Sequence, residues 1–353
     1  MDQATPISAF RTDAFQRVRS RIASFWEQLK NYRHTDYSLL IIAALLGIGI
    51  GGAIVLFHEA MEAAEKIFSN IFFSTDEALH LGRLAFPLVT ALGGLLVGIL
   101  NNKLFSQIPG EDLHTIVHAL ERHKGKVHWG HSVRSIVTAA FSIASGGGGG
   151  REGPTIMLGS SLGSSIGQAF RVNENSLKIL CAAGAAAAIS GIFNAPLAGI
   201  IFALEAIVGS LMLTHFIPIV IASVLATATS RILIGSNPAI IAPAVESPAL
   251  WQYAIIALVG VLSGLIAIYY IKLYRLTTRS FLRLIHRVPT IWRPAIGGFL
   301  AGIIAAALPT MLETSYSPIN QAILGEMPLL IALLTVILKP LNNAFTLASG
   351  GAG

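Results

Sequence analysis

Residues 145–155 read SGGGGGREGPT: five consecutive glycines, an Arg-Glu pair, a sixth glycine and a proline. Apolar stretches lie on both sides of it, so flexible backbone and two opposite charges stand where the surroundings favour neither. In hydrocarbon, irregular backbone survives only where protein buries it or a water-filled cavity accepts its polar groups. The reading of this stretch therefore decides between a lipid-facing wall and a binding or permeation site, and the flanking sequence supports the second.

The chain is 54% hydrophobic and 12% charged, with a mean hydropathy of +0.69. Soluble domains carry about 25% charged residues, so this surface cannot cover a water-soluble globule. Leu39–Phe57, Leu84–Leu100, Ala249–Tyr270 and Met327–Leu338 with its flanks are apolar runs, to be compared with the ~20 residues that span a bilayer. The fold class is an all-α polytopic membrane protein. The net charge of +6 does not point to nucleic acid, because the basic residues gather beside the apolar runs. Lys272, Arg275, Arg279, Arg283, Arg287 and Arg293, and likewise Arg122, Lys124, Lys126 and Arg134, stand in segments without an acid. The positive-inside rule puts both segments in the cytoplasm. The single cysteine, Cys181, excludes an intrachain disulfide and reads as a packing residue.

Residues 1–36 mix six basic with four acidic side chains and show no cleavable signal. Phe10–Tyr37 reads either as an amphipathic interfacial helix or as a docked cytosolic one. From a cytoplasmic N-terminus, Leu39–Phe57 crosses outward into a polar turn around His58–Lys66, and Leu84–Leu100 returns. Val133–Ser145, Pro154–Phe170, Ile179–Ile192 and Pro196–Leu213 are short or interrupted by Gly, Asn and Pro. That is the mark of discontinuous helices meeting at mid-membrane. Pro218–Ile234, Trp251–Tyr274, Pro294–Leu308 and Tyr316–Leu324 come next along the chain.

At the break itself, Pro154 is expected to open a helix running to Phe170, with Gly150–Gly153 as its unwound approach. A helix start offers unpaired N–H groups and partial positive charge to an anion, and glycine lets the ligand come close. Glu152 is the informative residue, because an ionisable side chain at membrane depth is a functional candidate. Ionised, its carboxylate occupies the anion position; protonated or swung away, it opens it. Arg151 reads as structural, pairing locally or with backbone.

Two apparent motifs are decoys. Gly148, Gly150 and Gly153 match the dinucleotide pattern GxGxxG, but no strand precedes them, and no GK[ST] stands after them for a P-loop. His114, His118, His123, His128 and His131 lack a third ligand at fixed spacing, so no metal site is expected. No nucleophile, base and oxyanion set is present, and no enzyme activity is expected.

Gly150-Arg151-Glu152-Gly153-Pro154 resembles the GREGP signature of the CLC chloride channels and anion/proton antiporters. Gly191-Ile192-Phe193-Asn194-Ala195-Pro196-Leu197-Ala198-Gly199 resembles their GxFxAPLAG segment, in the expected order and spacing. The resemblance extends from about residue 38 to the C-terminus. It implies an inverted repeat of tilted, broken helices: residues 37–212 as the first repeat, 213–353 as the second, and 1–36 as the N-terminal helix. It also implies a homodimer in the plasma (inner) membrane with one pore per subunit, chloride and possibly protons as cargo, and no cofactor. Glu152 looks like the external gating glutamate, with the amides of Gly150, Arg151, Glu152 and Gly153 lining anion positions. Pro154, Asn194, Pro196 and Glu205 match structural positions of the motifs.

Three departures qualify it. The turn that usually carries a serine anion ligand falls on Gly110, Glu111 and Asp112, whose amides form a second anion-facing helix start. Glu111 stands at the serine position, with Ser106 a neighbouring hydroxyl. The antiporters' internal proton-relay glutamate is replaced by Ala206. Ser349–Gly353 resembles the opening of the second-half signature, which leads to the expectation that the second repeat is incomplete and lacks the family's tyrosine ligand. The expected function is chloride transport, channel-like or weakly coupled. The alternatives are a proton-coupled antiporter, an organic-anion carrier, and a non-transporting fragment or regulatory membrane subunit.

Overall fold

In the computed structural model, the described residues are 37–72, 85–105, 113–209, 213–236, 239–241, 243, 249–308 and 316–353. They form α1 (Tyr37–Phe72), α2 (Phe86–Lys103), α3 (Leu113–Arg122), α4 (Trp129–Ala144), α5 (Glu152–Ala169), α6 (Glu174–Phe193) and α7 (Pro196–Phe202). A π-turn over Ala203–Val208 continues α7. Then come α8 (Leu213–Ile234), α9 (Leu250–Ile285), α10 (Arg293–Ala307), α11 (Ser317–Ile323) and α12 (Leu329–Ala348). Six described helices, α1, α2, α6, α8, α9 and α12, are long and apolar enough to cross a membrane. The proposed N-terminal helix Phe10–Tyr37 lies almost wholly outside the described residues, and Gly110, Glu111, Asp112 and Ser106 lie entirely outside them.

Several boundaries differ from the sequence expectation. α1 does not turn at His58–Lys66 but stays helical to Phe72. His58–Glu62 and Glu62–Lys66 pair at i,i+4 along it, at 3.1 and 3.4 Å, and no Gly or Pro interrupts that half. α6 is one unbroken helix, because Gly184 is a packing position rather than a break. Pro218 lies inside α8 instead of opening it. Of the expected Pro196–Leu213, Pro196–Phe202 is α7, Ala203–Val208 is the π-turn, 210–212 lie outside the described residues and Leu213 opens α8. α9 runs past Tyr274 to Ile285, and α12 runs past Leu338 through Lys339 and Pro340 to Ala348.

The helices meet through glycine. A Cβ on Gly159 of α5 would stand 2.2 Å from the Gly184 carbonyl of α6, and one on Gly163 would stand 2.1 Å from that of Leu180. The helix backbones therefore touch directly, as small-xxx-small pairs allow in a bilayer where burial between helices brings no hydrophobic gain. Gly47 and Gly51 of α1 do the same against Ala222 and Ala226 of α8, at 2.5 and 2.7 Å. α6, nearly all Ala, Gly and small residues in its middle, is the buried axis between α5 and α8, whereas α9 is exposed over nearly its whole apolar length.

α2 and α10 form a second unit, and its contacts repeat at a constant spacing of 204 residues (93 to 297). Gly93 abuts Ser145 Oγ and the Phe141 carbonyl, and Gly297 abuts Ser349 Oγ and the Phe345 carbonyl. A Cβ on Gly94 would stand 2.1 Å from the Pro294 carbonyl, and one on Gly298 would stand 2.2 Å from that of Thr90. The sequence carries the same spacing: ALGGLLVG (91–98) against AIGGFLAG (295–302), and FSIASGGGG (141–149) against FTLASGGAG (345–353).

Candidate functional site: the glycine break before α5

α4 ends in a tight exit. Gly146, at φ 93°, donates to Ile143 O at 2.8 Å, and Gly147 donates to Ser142 O at 2.9 Å. Positive φ explains glycine at 146. Close approach explains it at 148 and 149. A Cβ on Gly148 would stand 2.7 Å from the Asn342 backbone, and one on Gly149 would stand 2.7 Å from the Ala352 carbonyl. The Gly148 N–H donates to Thr346 Oγ1 at 2.9 Å. The glycine run is thus packed against α12 and against Ala352 and Gly353, so the two glycine breaks meet here.

α5 starts at Glu152 with Arg151 as its N-cap residue. Pro154, expected to open the helix, holds its third position. Its missing N–H costs nothing within the first turn, and Gly153 before it has no Cβ to crowd the ring. By helix geometry, the N–H groups of Arg151, Glu152 and Gly153 have no acceptor within the helix. Thr155 is the first to bond back, to Arg151 O at 3.2 Å.

The Glu152 side chain folds back along this start. A Cβ on Gly150 would lie 2.2 Å from its Oε2, so glycine there makes room for the carboxylate. Oε1 accepts a hydrogen bond from the Tyr316 hydroxyl at 3.1 Å. Burial, and then the neighbouring Glu152 charge, push the Tyr316 phenol well above its ordinary range. It is therefore a neutral donor at working pH. The Tyr316 ring packs on Phe193 at 5.5 Å with a 45° tilt.

Arg151 does not pair with its neighbour. Its side chain, 9% exposed, donates through Nη2 to Glu65 Oε1 of α1 at 2.7 Å, and Glu65 is 32% exposed. A guanidinium needs such a partner where water is scarce, and its pairing leaves Glu152 as a separate acid. A cavity of about 620 Å³ opens over these groups, lined among others by His58, Glu62, Glu65, Arg151, Asn194 and Tyr316. Glu152 is joined to this cavity through Tyr316, which lines it and donates to the carboxylate. An ionised carboxylate at a helix start occupies the place where the same N–H groups would hold a small anion.

Sequence reasoning missed three contributors. Tyr316 stands far along the chain in a segment with no motif of its own. Glu65 lies 86 residues from its partner. α12 turns Asn342, fully buried, and Thr346 toward the break, and the Glu152 charge reaches Lys339 one turn earlier. A signal for the last existed: Lys339, Asn342 and Thr346 recur at i, i+3 and i+7 in an apolar helix.

The remaining sequence candidates are structural or peripheral. Asn194 takes the left-handed conformation (φ 57°) that ends α6, and its side chain donates to Ser236 O at 2.8 Å. Pro196 opens α7. Glu205 is exposed in the π-turn that also holds Ala206. Cys181 is fully buried. His128 caps α4 by accepting from Gly130 N at 3.1 Å. Among the described residues, no three His, Cys, Asp or Glu converge on one point.

The sequence profile of the voltage gated chloride channel family matches residues 93–353, from α2 through both glycine breaks. The chain belongs to the CLC chloride channel family. It is 32% identical over 326 residues to the voltage-gated ClC-type chloride channel ClcB of Salmonella dublin, covering 89% of this chain and 75% of that protein. To ClcB of Escherichia coli O157:H7 it is 30% identical over 320 residues, with the same coverage. Two solved CLC structures share the fold. One is a CLC-type fluoride/proton antiporter (TM-score 0.74, 20% identity, 90% of this chain and 76% of that one). The other is a slow cyanobacterial Cl⁻/H⁺ antiporter (TM-score 0.71, 23% identity, 89% and 74%). As a CLC protein the chain is a multi-pass membrane protein of a transporter and channel family, not an enzyme.

Proposed function

We propose that this CLC protein carries chloride across the membrane along a path gated by Glu152. The observation that carries the reading is the Glu152 carboxylate, folded over Gly150 at the first position of α5 and bonded to Tyr316, which lines the cavity. The amides of Gly150, Arg151, Glu152 and Gly153 take the anion when that carboxylate leaves, and the turn Gly110–Asp112 supplies the second set. The 204-residue spacing supports dividing the chain into an inverted pair, residues 37–212 and 213–353, whose glycine breaks face one another. The acid-free basic segments around 122–134 and 272–293 support a cytoplasmic N-terminus in a plasma (inner) membrane. A homodimer, with one pathway per subunit, accompanies this reading.

Coupling to protons is the second reading, favoured by the two antiporters that share the fold. Ala206, which has no proton to give, tilts the balance toward channel-like or weakly coupled transport. Liposome flux separates the two. Under a chloride gradient, stoichiometric uphill proton movement would establish coupling, and its absence alongside chloride flux would establish a uniport. Glu152→Gln should abolish the pH dependence of chloride flux; a pH profile identical to the parent's sinks the gate. Reconstituted residues 1–353 that pass no anion would instead favour a non-transporting subunit.

A further inference from the structure

We infer that Tyr316 is the positioning residue of the gate: its hydroxyl, held by the Phe193 ring, fixes the Glu152 carboxylate over Gly150 and sets the pH at which the gate releases. This rests on Glu152 being the gate. Three observations carry it. The hydroxyl donates to Glu152 Oε1 at 3.1 Å, and a hydrogen bond to an ionised acceptor is stronger than one to the neutral acid. The donor is itself fixed. Its ring lies against Phe193 at the end of α6, and its carbonyl accepts from Asn320 N at 2.9 Å in the first turn of α11. The nearest cation in sequence, Arg151, is engaged by Glu65, so the phenol supplies a contact that Arg151 does not.

The charges around Glu152 come from four directions. Arg151 precedes it on its own helix, and α1 contributes Glu65 to Arg151. His58, Glu62 and Lys66 continue along the α1 wall of the cavity. α12 brings Lys339 within electrostatic reach of Glu152, and the start of α11 brings Tyr316 to its carboxylate. Of these, Tyr316 is the group whose hydrogen bond to the carboxylate can be deleted without changing any charge. Tyr316→Phe keeps the ring and removes only the hydroxyl. The gate's proton affinity then rises about tenfold, which is one pH unit, and the midpoint of flux activation moves to higher pH by that amount.

The experiment is chloride efflux from liposomes against external pH, using the full-length protein. The parent, E152Q, Y316F and the E152Q/Y316F pair are compared. The expected result is an upward shift in Y316F and no further change when Y316F is added to E152Q. A parental midpoint in Y316F, with E152Q still pH-independent, overturns the role of Tyr316 and leaves the gate standing. A pH-dependent E152Q overturns the gate itself. Should Y316F fail to assemble, 3-fluorotyrosine at position 316, a stronger donor of nearly the same shape, must move the midpoint to lower pH; an unmoved or raised midpoint again refutes the assignment.

Discussion

FSIASGGGG at 141–149 and FTLASGGAG at 345–353 are the same device at two places. Each ends a helix with a serine whose hydroxyl bonds back three residues, Ser145 to Ser142 O at 3.1 Å and Ser349 to Thr346 O at 2.8 Å. Each turns out through a left-handed glycine, φ 93° at Gly146 and 99° at Gly350. Each is received by a glycine of the α2–α10 pair. They diverge at the third position of the glycine run: Gly148 has Asn342 against it, while its counterpart is Ala352. Beyond it, the first break continues into the Arg151–Glu152 pair and the start of α5. The shared part supplies a packed exit from a helix, and the chemistry enters only with that charged pair.

If the two breaks are mechanically equivalent, substitutions in the shared frame must cost alike. Gly94→Ala and Gly298→Ala each push a methyl group onto a backbone carbonyl that cannot step aside, at 2.1 and 2.2 Å. Each should cost about 3 kcal/mol, the upper part of the overpacking range, and lower the melting temperature in detergent by similar amounts. A large drop in one and none in the other breaks the equivalence. Glu65→Gln probes what the first break alone possesses. It removes the Glu65 carboxylate from the Arg151 guanidinium, and because Glu65 is 32% exposed, about 2 kcal/mol is expected rather than the full cost of a buried pair. Denaturant titration followed by tryptophan fluorescence reads it.

Gly148→Ala tests the point of divergence and should cost roughly 1–2 kcal/mol by displacing α12. Ala352→Gly, the reverse exchange at the matching site, should stay under about 1 kcal/mol. Comparable losses from both, in thermal unfolding monitored by circular dichroism, would show that the asymmetry at Asn342 carries no weight. Lys66→Ala calibrates the series. Its pair with Glu62 at 3.4 Å is exposed, so a change below about 0.5 kcal/mol is expected, and a loss matching that of Glu65→Gln would remove the distinction between the two pairs.

The two breaks also mark how far a sequence discloses its structure. Composition and apolar runs pointed to the membrane class, and the glycines with Glu152 marked the break, because these signals are local. The 204-residue repeat was equally legible in ALGGLLVG and AIGGFLAG, but it becomes visible only when two distant segments are set side by side. The end of α1 was missed because charged residues at i,i+4 spacing look like a turn when read singly and like a helix face when read together. The helix start at Glu152 was displaced by treating Pro154 as a boundary, although the whole first turn tolerates proline. Glu65 and Tyr316 could not be read locally at all. Their partners are 86 and 164 residues away, and only the packing of α1 and α11 around α5 brings them there.

The anchoring of Arg151 has a mechanical corollary. With its guanidinium tied to α1 and the preceding glycines wedged against α12, the backbone on the N-terminal side of Glu152 is held in place, and Thr155 begins the helix ladder on the other. In the proposed gate, a single side chain then turns about its own χ angles on a stationary mount. Rotamer changes of that kind take picoseconds to nanoseconds when exposed, far faster than any helix can move. The proposed gate's open lifetime is then expected to follow the arrival and departure of one proton and one anion rather than the movement of a helix.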